Sequence, residues 1–170
     1  DIRALAFSQR GHGQSGKPRS GYALDSLVRD AVAFLDAMRI DRAVIAGHSM
    51  GAAVAALLAA RHPHRVASPG LLGAFADFRF NAGVIEPKQD AQRLVDPIDP
   101  DFARAFQAST IIRMDDDEFL DLVVSDSQAL PAFAWRALVD GLMTRELPAG
   151  FGRIVAPAFL VWGDGGVVVP

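Results

Sequence analysis

The most specific chemical signal in this chain is Gly47-His48-Ser49-Met50-Gly51, a Gly-x-Ser-x-Gly pattern. A short apolar run, Ala43 to Gly47, precedes the serine, and a helix rich in Ala and Leu is read over Ser49 to Arg61. A serine placed between such a strand and such a helix sits on a turn so tight that its backbone is strained and its hydroxyl projects from the sheet. The glycines at 47 and 51 remove side chains expected to collide with the neighbouring strand and helix. Ser49 heads its helix, so the free N–H of Met50 points toward a developing oxyanion, assisted by the helix dipole. The chemistry implied is nucleophilic attack on a carbonyl. An unactivated serine is a poor nucleophile, so it needs a histidine base, and that base needs an orienting carboxylate.

The elements that must position this serine follow from the apolar patterning. Ile2 to Phe7 reads as a short buried strand that exits into the glycine-punctuated run Ser8 to Pro18. Leu24, Leu27, Val28, Ala31, Phe34, Leu35 and Met38 follow a helical period. Val66 to Ala74 reads as a strand, although it contains Pro69 and Gly70, and Pro157 to Trp162 as another. Three helical pieces lie between these two strands. Asp99 and Pro100 open one, Asp115 to Asp117 the next, and Pro131 the third. Strands alternating with helices imply an α/β class: a mostly parallel sheet with flanking helices and a helical insert. Sites in such sheets form at the carboxyl ends of the strands.

On these motifs the chain resembles the α/β-hydrolase superfamily, of the serine esterase and cofactor-free haloperoxidase type. Arg10-Gly11-His12-Gly13-Gln14-Ser15 resembles the loop after the family's fourth strand. Gly47 to Gly51 resembles the nucleophile elbow, Arg65 to Ala74 the sixth strand, and Pro157 to Pro170 the seventh strand with its acid-bearing loop. The resemblance implies an incomplete α/β-hydrolase fold in three parts. Residues 1–76 form a core with the elbow, 77–152 a helical cap insert, and 153–170 a return to the core. It implies a serine hydrolase acting on carboxylic esters or related acyl bonds through an acyl-enzyme. Ser49 is then the nucleophile and the Met50 N–H the oxyanion donor, with His48 and Trp135 expected at the substrate. Small-molecule acyl substrates are the expected partners, and no metal or organic cofactor is implied.

The pattern departs from the family in three places. The family's acid position is occupied by Gly166, which leaves Asp164 as the nearest substitute and Asp77 as a more remote one. The family's histidine follows an eighth strand, whereas this sequence ends at Pro170; His12, His48, His62 and His64 are poor replacements. The first three strands, whose last loop supplies the second oxyanion N–H, have no counterpart. The expectation is therefore the middle of a larger hydrolase, inactive alone. Gly166 also motivates an alternative, a non-catalytic hydrolase-fold binding protein, and relatives with the same elbow perform C–C bond hydrolysis or perhydrolysis.

Composition sets the remaining bounds. The 170 residues carry a net charge of −3 and no cysteine, which excludes disulfides, thiolate metal sites and a cysteine nucleophile. No basic block suggests nucleic acid, and no apolar stretch suggests a membrane span. No signal peptide opens the sequence, so a cytoplasmic location is expected. Gly11 to Gly16 is formally a G-x-G-x-x-G run. A dinucleotide site would need a helix to open inside it, and residues 17–21 intervene before the helix starts.

Overall fold

The computed structural model describes residues 2–74, 82–111, 116–143 and 151–163. Helix α1 spans Leu24–Ala37, strand β1 Ala43–His48 and helix α2 Met50–Arg61. A 3-10 turn at Pro63–Arg65 leads into β2, Val66–Leu72. Four helices follow, α3 Ala82–Arg93, α4 Pro100–Ser109, α5 Asp117–Ala129 and α6 Ala132–Met143, and then β3, Phe159–Val161. The three strands form one parallel sheet in the order β1-β2-β3.

Helix α2 joins the layers. It is buried from Ala52 through Ala59, and its small residues explain why it can be. Ala52, Ala55 and Ala56 pack with Leu71 of β2, where the absence of longer side chains lets helix and sheet approach closely. The other side of the helix, with Val54, Leu57 and Leu58, meets Leu24, Leu27 and Val28 of α1 in the larger core. That core continues into the insert through Ala103, Val124, Trp135 and Leu138. Arg65 fastens the outer turn by pairing with Asp36 at 2.8 Å and donating to the carbonyls of Ile40 and Asp41.

Several elements begin and end where their capping chemistry dictates. The Asp99 carboxylate accepts the Asp101 N–H at 2.8 Å and Pro100 opens α4, as the sequence implies. Asp116 caps α5 through the Phe119 N–H at 3.0 Å. The first free N–H of α6, at Ala132, is satisfied from a distance by Asp96 at 2.7 Å. Helix α1 closes with paired bonds from Arg39 to Asp36 and from Ile40 to Leu35, which places Arg39 at φ 54°.

Two sequence expectations are corrected. Ile2 to Phe7 forms no strand: it has no ladder partner among the described residues, Ile2 is 97% exposed, and Phe7 stacks instead on Phe34 at 4.5 Å. A strand exists only by its hydrogen-bonded neighbour, and this arm is separated from β1 by a cleft. The insert holds four described helices rather than three, because α3 contains Gly83 and Pro87, which hide it from a propensity reading. Pro69 and Gly70 do lie within β2. The β2–β3 ladder starts only at Gly70, and Ser68 reaches across to the Pro157 carbonyl with its hydroxyl instead. A Cβ on Gly70 would sit inside the Phe159 ring, so the glycine makes room for the neighbouring strand.

Arg39 holds a conformation that costs an L-residue roughly 1 kcal/mol. Replacing Arg39→Gly is expected to raise stability by at most about 0.5 kcal/mol after the entropy lost to a looser unfolded chain, read as a small rise in urea midpoint at constant slope.

Candidate active site

Strand β1 passes into α2 through Ser49 alone. Ser49 adopts φ 51° and ψ −116°, a region that a residue with a Cβ enters only under strain. Three main-chain bonds hold it there: Ser49 N–H to the Leu72 carbonyl at 2.9 Å, and the Ala52 and Ala53 N–H groups to the Ser49 carbonyl at 2.9 and 3.2 Å. The turn is thus tied to the carboxyl end of β2 on one side and to α2 on the other. A Cβ on Gly47 would land on the Gly51 carbonyl, so position 47 admits only glycine in this geometry. Gly51 differs from its sequence expectation. Among the described residues a Cβ there meets only the Gln9 amide nitrogen, at 4.0 Å, because this side of the first turn faces a cleft.

That cleft has a volume of about 630 Å³ and runs between the arm at residues 3–9 and β1, over α1 and α2. Ser49, Met50, His48, His12 and Gln9 share it. Met50 is the first residue of α2, so its N–H is one of those left over at a helix start. Among the described residues no hydrogen bond joins the Ser49 hydroxyl to a histidine. One ring nitrogen of His12, Nδ1, lies 3.2 Å from the Arg10 carbonyl. His48 is exposed at the end of β1 with its ring against Gly73. His62 and His64 stand at the opposite end of α2, where their rings meet each other at 6.2 Å.

Trp135 lies in the insert. It is buried between Phe102 and Phe106, edge to face at 5.6 and 5.0 Å, and its indole N–H donates to the Ser127 carbonyl. Its polar atom and both ring neighbours are thus engaged in packing. Asp164, Gly166 and Asp77 lie outside the described residues.

The loop that borders the cleft is anchored by Arg10. Its guanidinium forks onto Asp30 of α1 at 2.5 and 2.6 Å and donates to the Gly21 carbonyl at 2.8 Å. The hydrogen bond to Asp30 raises the Arg10 pKa further, against the opposing effect of burial. Burial pushes the neighbouring Tyr22 phenol up from its ordinary value, and Arg10 partly offsets this. Gln9 carries no motif signal of its own and escapes a sequence reading. Its side-chain oxygen is buried without a hydrogen-bond partner among the described residues, at the elbow. Among the described residues no cluster of three metal-ligating side chains occurs, and no helix is long and apolar enough to cross a membrane.

The strand–Ser49–helix turn and the parallel sheet define an α/β fold with a serine at a strained strand-to-helix turn. The family model described as alpha/beta hydrolase fold matches residues 1–153, so the chain belongs to that family. It is 30% identical over 177 aligned residues to the dihydrolipoyllysine-residue acetyltransferase component of the acetoin cleaving system of Pseudomonas putida, covering 99% of this chain and 46% of the relative. It is 34% identical over 125 residues to the 2-hydroxymuconate semialdehyde hydrolase of Pseudomonas sp. strain CF600, covering 71% of this chain and 42% of the relative. An esterase from Exiguobacterium antarcticum superposes with a TM-score of 0.83 at 19% identity, over 95% of this chain and 63% of the other. The chain thus spans less than half of each of these two curated relatives.

Ser49→Gly is expected to raise unfolding free energy by about 1 kcal/mol, since glycine adopts the elbow backbone without strain. Gly47→Ala is expected to lower it by about 2 kcal/mol or more through the collision with the Gly51 carbonyl. Paired urea melts of the two variants check both signs.

Proposed function

We propose that this chain carries the nucleophile of a serine hydrolase that acts on carboxylic ester or related acyl bonds. The single observation that supports it best is the strained backbone of Ser49 at the head of α2. Strain of this kind persists only where the surroundings over-determine it, and it presents the hydroxyl to the cleft beside the Met50 N–H. Ser49 Oγ attacks the acyl carbon and gives up its proton to a base. The carbonyl oxygen takes the negative charge beside the Met50 N–H, and the alcohol departs with a proton as the acyl-enzyme forms. Water then releases the acid by the same steps. Esterase and semialdehyde-hydrolase activities in the names of the similar proteins fit this class of chemistry.

The base is the limiting group. His12 shares the cleft but turns Nδ1 toward the Arg10 carbonyl, and no histidine hydrogen-bonds Ser49 among the described residues. The 170 residues alone are therefore proposed to turn over esters slowly. Losing a triad member costs several powers of ten in rate. A small imidazole added in solution can stand in for a base that the protein does not position.

A serine-directed fluorophosphonate tests this reading. Labelling of the chain alone is expected to be faint, to rise with added imidazole, and to vanish in Ser49→Ala. Labelling that is equal in the two proteins removes Ser49 as nucleophile. Labelling that stays at the Ser49→Ala level in imidazole favours the non-catalytic reading, in which the fold binds a small ligand without reacting with it.

A further inference from the structure

Helix α6 presents Gly141 to the segment that leads into α1. Gly141 is buried, and a Cβ there would lie 2.6 Å from the Tyr22 carbonyl oxygen, 3.1 Å from the Ala23 Cα and 3.2 Å from the Tyr22 carbonyl carbon. All three are main-chain atoms, which cannot swing aside as the end of a long side chain can. The helix therefore seats on the backbone of residues 22 and 23 through a bare Cα.

Two links run from that seat to the loop at Ser49. The Tyr22 ring is the first. It is 2% exposed and rests on Gly11, with Cε1 3.0 Å and the hydroxyl oxygen 3.4 Å from where a Cβ of Gly11 would stand. Leu130 of the insert closes the same space at 3.1 Å. The hydroxyl has no hydrogen-bond partner among the described residues, so ring contact and not a polar anchor fixes this approach. The second link is through the main chain. Gly21, the residue before Tyr22, accepts a bond from the Arg10 guanidinium at 2.8 Å. Residues 10 and 11 are thus clamped to residues 21 and 22.

Gln9 and His12 flank the clamped pair. The His12 N–H donates to the Gln9 carbonyl at 3.0 Å, and both residues share the cleft with Ser49 and Met50. The Gln9 amide nitrogen lies 4.0 Å from where a Cβ of Gly51 would stand. Close-packed interiors pass a displacement on rather than absorb it. Helix α6 is itself held against retreat. The Ala132 N–H in its first turn donates to Asp96, and Trp135 and Leu138 lie in one core with Leu24 and Leu27. Added width at position 141 therefore presses on Tyr22, and Tyr22 on Gly11.

We infer that Gly141 and Tyr22 are positioning residues, through which the insert sets where Gln9 and His12 stand at the elbow. The path runs by way of Gly11 and Arg10. Its effect on turnover rests on Ser49 being the nucleophile, whereas the relay of position rests on packing alone.

The test compares Gly141→Ala, Tyr22→Leu and Tyr22→Phe with a control inside the insert. The control, Gln107→Ala, removes the bond from Gln107 to the Ser127 hydroxyl. The readouts are the amide resonances of Gln9, Gly11, His12 and Gly51 and the exchange rate of the Gly11 N–H, which donates to the Gly16 carbonyl. Gly141→Ala is expected to move all of these resonances, and to lower imidazole-assisted fluorophosphonate labelling of Ser49 by roughly fivefold or more. Tyr22→Leu is expected to speed Gly11 exchange by roughly tenfold or more. Tyr22→Phe keeps the ring and is expected to keep the original rate, and Gln107→Ala to leave the resonances in place. Shifts in Gly141→Ala that stop at α6, Tyr22 and Ala23 overturn the inference. So does movement of the same loop resonances in Gln107→Ala, which makes the effect a general loosening of the insert. Tyr22→Phe behaving as Tyr22→Leu overturns it in favour of a role for the hydroxyl. A displaced loop with unaltered labelling overturns its bearing on the site. If the unsubstituted chain takes no label, the serine-hydrolase reading fails, and the resonances still decide the relay. If Gly141→Ala does not fold, the two Tyr22 variants decide it.

Discussion

A strand that enters a helix with one residue between them leaves no room for a Cβ at the last strand position facing the helix. That constraint sets the position of everything around the elbow. Ser49 takes the positive φ that turns the chain, and the turn brings the Gly51 carbonyl onto the space a Cβ of residue 47 would need, so only glycine fits there. A residue in that region costs of order 1–3 kcal/mol. The cost is met by the bond from Ser49 N–H to Leu72, which ties the turn to β2, and by a helix that is buried along eight consecutive residues. Neither support is local. The parallel pairing of β1 with β2 must be in register for Leu72 to present its carbonyl, and α1 must cover α2 for the helix to stay.

How far this was legible from the sequence depends on which interactions announce themselves in residue type. The elbow does, because glycine, serine and small residues at this spacing suit few backbones besides a tight strand-to-helix turn. Caps do as well: Asp99 with Pro100 and the Asp115–Asp117 run mark helix starts by the chemistry of free N–H groups. Helix α3 does not, since Gly83 and Pro87 argue against the helix that forms around them. The arm at residues 2–7 has the composition of a strand and, among the described residues, lacks the partner that would make it one. Gln9 is the clearest case of missing signal. A glutamine beside a glycine-rich loop looks like any polar loop residue, and only coordinates reveal that its oxygen is buried and unpaired among the described residues.

Pro69 illustrates the opposite case, a residue whose type argues against the strand that its apolar neighbours imply and that the structure contains. Proline removes one donor from a ladder, and the expectation is an edge or a break. Here β2 is the central strand of the described sheet, but its ladder to β3 begins one residue later. The neighbouring Ser68 hydroxyl bonds to the Pro157 carbonyl across the gap. The same few residues hold Gly70, which the Phe159 ring requires. The two residues that disfavour a strand in isolation fit the one place where the partner strand starts late and comes close.

The loop from Gln9 to Tyr22 links these parts to the insert. Gln9 touches the elbow, Arg10 is forked onto α1, and Gly11 is enclosed by Tyr22 and by Leu130 of the insert, each near 3 Å from where a Cβ would stand (3.0 and 3.1 Å). Further on, Lys17 donates to the Ala129 carbonyl at 2.7 Å and Arg19 lies 4.7 Å over the Phe133 ring. Tyr22 then enters the same buried cluster as Trp135 and Leu138. The insert is therefore held to the base by apolar packing as well as by surface contacts. Displacing it would uncover Tyr22 and Leu24 and free the loop whose first residue lies at Ser49. Through these contacts the insert helps fix the loop that forms the edge of the cleft.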